Sequence, residues 1–199
     1  MSYDNQQWCI NKHRETNHMY DKYLPYEFHL RMVAQVAKDF EHLLDNTVDY
    51  FTGESLQGWN SHTVVTLRQA CHKAAWGHDL IEDARQSYND VKGVLGQEAA
   101  DIVFAVTNET GKTRKERANA KYYEKIRNTK GAIFVKLCDR IANVQYGKLT
   151  KSRQVEMYKK ELPGFLAELG WGEDSQYFNA EVCMMYAPLF QYLINLFED

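Results

Sequence analysis

The chain has 199 residues, is 44% hydrophobic and carries a formal net charge of −3. That size suits one globular domain, and so small a net charge excludes any global pull toward nucleic acid or an acidic membrane surface. The first twenty residues lack the apolar core of a secretory signal, and the four scattered cysteines form no Cys-x-x-Cys pair, so a zinc ribbon is excluded and a reducing, cytoplasmic setting is expected.

Helical periodicity dominates the pattern, and no strand-like alternation persists. Leu30, Val33, Ala34, Ala37, Phe40 and Leu44 make the first amphipathic stripe. Residues 53–60 break it, with Gly53 and Gly58 as punctuation. Asn60 or Ser61 then caps a predicted helix that runs to about Arg85. Asn89 is expected to cap a short helix ending near Gly96, and 97–107 forms the next helix. Residues 108–117 read as a loop that enters a polar helix over 117–128. Gly131 precedes an apolar helix, AIFVKLCDRIANV. Segments at 152–162 and 164–169 and a buried terminal helix over 182–197 complete an all-α, single-domain chain. The terminal segment is shorter than a membrane span and is interrupted by Pro188, Gln191 and Asn195, so no membrane association is expected.

The stretch AAWGHDLIEDAR, residues 74–85, crowds His78, Asp79, Glu82 and Asp83 into two turns. On a continuous helix His78 would lie above Glu82 and Asp79 above Asp83. Three carboxylates so close repel one another. A divalent cation would resolve the conflict, and a mixture of imidazole nitrogen and carboxylate oxygen suits manganese, iron or zinc. The competing reading is a solvated face whose acids pair with lysines. His29 is in phase with Val33, Val36 and Phe40 and should point inward. Lys136, Asp139 and Asn143 share one face of an otherwise apolar helix and need partners inside the fold.

These pieces together resemble the successive metal-site motifs of the HD superfamily of metal-dependent phosphohydrolases. LPYEFHLRMVAQVA, AAWGHDLIEDAR and FVKLCDRIANV occur in that order. They are most similar to the hydrolase domain of RelA/SpoT proteins and to stand-alone small alarmone hydrolases. The resemblance covers about residues 24–150, with residues 151–199 expected as accompanying C-terminal helices of one domain spanning 1–199. It implies an HD-type helical bundle in which His29, His78, Asp79 and Asp139 hold one divalent ion, usually Mn2+, with Fe2+, Zn2+ or Co2+ as alternatives. It also implies that Glu82 and Asp83 activate the attacking water and that Asn143 contacts substrate.

Three features depart from the family pattern: Leu30 and Ala84 replace a Pro and a Thr, and an Arg-Lys pair upstream of Pro25 is absent. Tyr20 stands near the base-reading Arg, with Lys22 as the nearest cation. Stacking on Tyr20 would tolerate different bases. Residues 112–130 hold eight cations against two acids, a local charge of +6. Most of these suit a solvated face, with Lys112 and Arg114 foremost for phosphate contact.

The expected activity is release of the 3′-pyrophosphate from guanosine tetra- or pentaphosphate. The alternatives are the same chemistry on a deoxynucleoside triphosphate, a nucleoside monophosphate or NADPH, or a silent nucleotide-binding domain. The expected partners are a small-molecule nucleotide and, at most, further copies of the chain, forming a homo-oligomer.

Overall fold

The structure is a computed structural model that describes residues 2–45 and 61–198, with only the backbone placed for 45 and 61–66. The loop at 53–60 and the capping role of Asn60 lie outside the described residues. Helices α1 (Tyr3–Glu15), α2 (Glu27–Asp39), α3 (Ser61–Gly77), α4 (Leu80–Asp83), α5 (Tyr88–Leu95) and α6 (Gln97–Val106) come first. They are followed by α7 (Arg114–Arg117), α8 (Ala120–Asn128), α9 (Ala132–Leu149), α10 (Gln154–Glu168) and α11 (Ala180–Asn195). Among the described residues there is no strand, only an isolated antiparallel bridge between Met19 and Pro25. The all-α bundle expected from the periodicity is therefore what forms. None of its described helices is long and apolar enough to cross a membrane.

Helix α9 is the axle of the bundle. Ile133, Phe134, Val135, Leu137, Cys138 and Ile141 are all buried, because apolar residues occupy nearly every face of this helix. It packs against α2, α3, α6, α8, α10 and α11. Gly131 starts it at φ +83°, and a Cβ there would meet Cys71 Sγ at 2.7 Å. Only glycine satisfies both the left-handed backbone and the close approach of α3. Helix α2 buries His29, Leu30, Val33, Val36 and Ala37 on one stripe, which sends the imidazole of His29 inward.

Several element boundaries differ from the sequence expectation. The helix predicted to run to Arg85 stops at Gly77, and α4 begins at Leu80. A Cβ on Gly77 would meet Leu95 Cδ1 at 2.7 Å, so the chain turns here under close packing by α5. His78 thus sits at a break between helices, while Asp79 caps α4 one turn before Asp83, whose N–H donates to the Asp79 carbonyl at 2.9 Å. Ser87, not Asn89, caps α5, through a reciprocal pair of hydrogen bonds with Asp90. The polar helix over 117–128 is interrupted at Ala118 and restarts with Asn119 as cap. The segments at 152–162 and 164–169 form one helix across Pro163, because burial of Tyr158 and Phe165 on one face outweighs the local break. Helix α1 had no counterpart in the sequence reading. It docks through Cys9, Ile10 and His13.

Candidate metal centre and active site

Four of the predicted residues meet at the centre of the bundle. His29 comes from α2, His78 and Asp79 from the α3–α4 break, and Asp139 from α9. The two Nε2 atoms are 3.2 Å apart. Asp139 Oδ1 lies 3.2 Å from His29 Nε2 and 3.7 Å from His78 Nε2. Asp79 Oδ2 lies 2.9 Å from His78 Nε2. Donor atoms of His29, His78 and Asp79 all fall within 4.8 Å of one another. Both imidazoles are buried, at 1% and 2% exposure.

This donor set fits a divalent ion. Ligands about 2.1 Å from one ion are separated by about 3.0–3.4 Å, close to the 2.9–3.7 Å between the donor pairs above. His78 Nδ1 is engaged by the carbonyl of Ala75 at 3.0 Å, which leaves Nε2 to face the cluster. The electrostatics agree. Burial opposes charge on His78, yet Asp79 and Asp139 outweigh it and raise the imidazole to about 9. The cluster therefore recruits a positive charge, which a bound cation would supply. Burial resists ionisation of Asp79 and Asp139, but His78 for the first and Lys136 for the second hold these carboxyls well below their ordinary range.

A ring of neighbours fixes these groups. Lys136 Nζ donates to Asp139 Oδ2 at 2.8 Å, and Asn143 Nδ2 donates to Asp139 Oδ1 at 2.7 Å. Tyr20 stacks on His29 with centroids 4.8 Å apart, and its hydroxyl donates to Asn143 Oδ1 at 3.0 Å. The Tyr26 hydroxyl donates to Asp79 Oδ2. Tyr20 and Asn143 are thus tied to the ligand cluster itself.

Glu82 and Asp83 stand beside the cluster on α4. Glu82 is anchored by Asn108, whose side-chain amide donates at 2.9 Å and whose backbone N–H donates at 3.3 Å. Asp83 is more exposed and lies 3.8 Å from His18 Nε2. Burial, together with the negative charges of Asp79 and Glu82, pushes its carboxyl up to about 7.

The basic segment divides. Arg114 and Arg117 join Lys136, Arg140 and Asn108 around a narrow chamber of about 50 Å³. Lys136 and Asn108 connect that chamber directly to Asp139 and Glu82. Lys112 is exposed and uses its backbone N–H to cap Glu116. Lys22 is exposed and lies 5.1 Å over the Tyr23 ring. Neither lysine is brought to the cluster by a contact of its side chain.

The sequence reading missed His13 and His18. His18 stacks on Tyr26 at 3.8 Å and His13 stacks on the same ring at 4.6 Å. Their Nδ1 atoms are 3.0 Å apart. Burial pushes the His13 imidazole down to about 3. The usable signal was the pair of histidines just upstream of Pro25-Tyr26, on a segment that must return past the first motif.

No family model matches the sequence, and no curated protein matches it. Among solved structures the chain is similar to a metazoan ortholog of SpoT, described as hydrolysing ppGpp and playing a role in starvation responses. The two share 16% identity at a TM-score of 0.56, over 94% of this chain and 92% of that one. The chain therefore shares the fold of that protein, an all-α bundle.

Proposed function

We propose that the chain is a metal-dependent phosphohydrolase that releases the 3′-pyrophosphate from guanosine tetra- or pentaphosphate. The observation that carries this reading is the convergence of two imidazoles and two carboxylates, within 2.9–3.7 Å, beside a second carboxylate pair and a cationic chamber. The likeness in fold to a protein described as hydrolysing ppGpp supports the choice of substrate.

His29, His78, Asp79 and Asp139 would hold the ion. Bound there, a divalent ion makes water nucleophilic near neutral pH and draws charge from a phosphoryl oxygen. Glu82, held at both oxygens by Asn108, orients the attacking water. Asp83 takes the proton, and its environment suits it to hold one near neutral pH. His18 stands next to Asp83 to pass that proton toward solvent. Lys136, Arg140 and Arg117 face the chamber and offset charge on the transferred group. Asn143 fixes Asp139 and offers its edge to the sugar.

One observation favours a second reading, the same chemistry on another nucleotide. Tyr20 is committed to His29 and Asn143, so it is not free to read guanine by hydrogen bonds. Both readings are tested by incubating the manganese-loaded chain with guanosine and adenosine 3′-pyrophosphates, NADPH and deoxynucleoside triphosphates, and identifying products by mass. Pyrophosphate release from the 3′ position is expected, lowered about 10²-fold or more in Glu82→Gln and Asp83→Asn. Rapid hydrolysis of NADPH or a deoxynucleoside triphosphate, without pyrophosphate release from either 3′ ester, would select the second reading. Wild-type rates in both variants would remove Glu82 and Asp83 from the mechanism.

A further inference from the structure

Beyond the narrow chamber lies a cavity of about 720 Å³. The two share Arg114, Ala118, Tyr123 and Arg140 as walls. Glu161 lines the larger cavity beside the two shared arginines. Its Oε1 accepts from Arg114 Nε at 2.7 Å and its Oε2 from Arg114 Nη2 at 3.0 Å. The same Oε2 lies 3.4 Å from Arg140 Nη1. A single carboxylate thus occupies the notch between two guanidiniums, the place where an oxyanion of substrate would be received in the same fork-to-fork geometry.

Arg140 is the fixed member of the three, whereas Arg114 and Glu161 are both partly exposed. Arg140 is buried, with its guanidinium 4.2 Å over Phe165 and 4.5 Å over Tyr158. Arg114 lies 5.4 Å over the same Tyr158 ring. Glu161 is a third exposed and sits in the turn of α10 just before Pro163. Proline has no N–H, so the carbonyl of Lys159 lacks its helical partner and that turn is held by one bond fewer. A phosphoryl group brings about two negative charges against one, so it competes well for the pair.

We propose that Glu161 is a displaceable internal counter-ion that sets substrate specificity: it holds Arg114 and Arg140 until a phosphate or pyrophosphate group of the nucleotide takes its place. Displacement frees both guanidiniums toward the larger cavity, where Tyr123 and Phe165 provide walls for the uncharged part of the ligand. Glu161 therefore acts against weakly charged ligands, which cannot replace a bidentate carboxylate, and is overcome by polyphosphorylated ones. This rests on the phosphohydrolase reading for its substrate class, but its test does not require turnover.

The probe is inorganic pyrophosphate, titrated by calorimetry into the metal-free chain at low salt. Glu161→Gln is expected to bind it about five- to tenfold more tightly than the wild type, since the competing charge is gone while the shape is kept. Glu156→Gln, an equal charge change on the same helix, is expected to leave the affinity as it was. Arg114→Gln is expected to weaken binding. In steady state, with whichever nucleotide is turned over, Glu161→Gln lowers KM more than it changes kcat. If Glu161→Gln does not fold, Glu161→Asp serves, because its shorter arm cannot bridge both arginines and should also tighten binding. Equal or weaker pyrophosphate affinity in a folded Glu161 variant overturns the proposal. Tighter binding in a chain that hydrolyses no nucleotide would sink the phosphohydrolase reading and leave the role of Glu161 standing.

Discussion

Tyr26 shows how one side chain serves both fold and site. Its ring stacks against His13 and His18, and its hydroxyl donates to Asp79. Burial, then the nearby negative charge of Asp79, raises the phenol well above its usual range, so the hydroxyl stays a donor at any physiological pH. A donor that orients a metal-ligating carboxylate typically contributes 10- to 100-fold in metal affinity. Tyr26→Phe keeps the stacked ring and deletes the donor. It should weaken manganese binding by about that factor while leaving the helical circular dichroism spectrum unchanged. Unaltered affinity would mean that Asp79 needs no outside partner. Asn143 carries a similar lesson for reading residues one by one. The resemblance assigns it to substrate, and in the fold its amide also links Asp139 to Tyr20. The pairing with Tyr20 crosses more than a hundred positions of sequence and leaves no local pattern.

At the scale of elements, the legible parts were those with an uninterrupted apolar stripe. Helices α2 and α9 follow their stripes, and with them His29, Asp139 and Asn143 fall where the periodicity puts them. The break at His78 was not legible, because AAWGHDLIEDAR suits a helix throughout and the turn comes from close packing at Gly77. Continuity of α10 through Pro163 was equally hidden, since burial by neighbours decides it. Helix α1 was missed because its apolar side is thin and its inward face includes a histidine. That histidine makes the docking of α1 sensitive to acid. His13 is 1% exposed and its imidazole is pushed down to about 3, against an ordinary value of 6.5. The unfolded chain therefore binds a proton between those limits that the folded chain does not. Stability from this group is complete above pH 6.5 and is lost as pH falls toward 3, by about 1.4 kcal/mol per unit while that difference holds. His13→Phe, which retains a stacking ring, should flatten the urea-unfolding stability profile by close to one proton over pH 4–6. An identical slope in the two proteins would place His13 in contact with water.

Across the whole molecule, the candidate ligands tie together segments that are far apart in the chain: α2, the α3–α4 break and α9 each supply at least one donor. The order of the three motifs made this assembly readable in advance. The chamber and the pairing of Glu161 with Arg114 and Arg140 were not, because Glu161 lies well beyond the last motif and acquires meaning only when α10 folds back over α9. A group that bridges three elements in the folded state, and has no such set of donors in the unfolded chain, must raise global stability by linkage. At about one hundred times the dissociation constant, the gain is about 2.7 kcal/mol. For a domain of this size that corresponds to a rise in Tm of about 5–10 °C. Manganese should therefore raise the melting temperature by that amount, and chelation should reverse it. His78→Ala and Asp139→Ala should melt at the same temperature with or without the ion, because each has lost one of four donors. If both variants gain as much as the wild type, the ion is stabilising the chain from somewhere else and the central cluster is a hydrogen-bonded core.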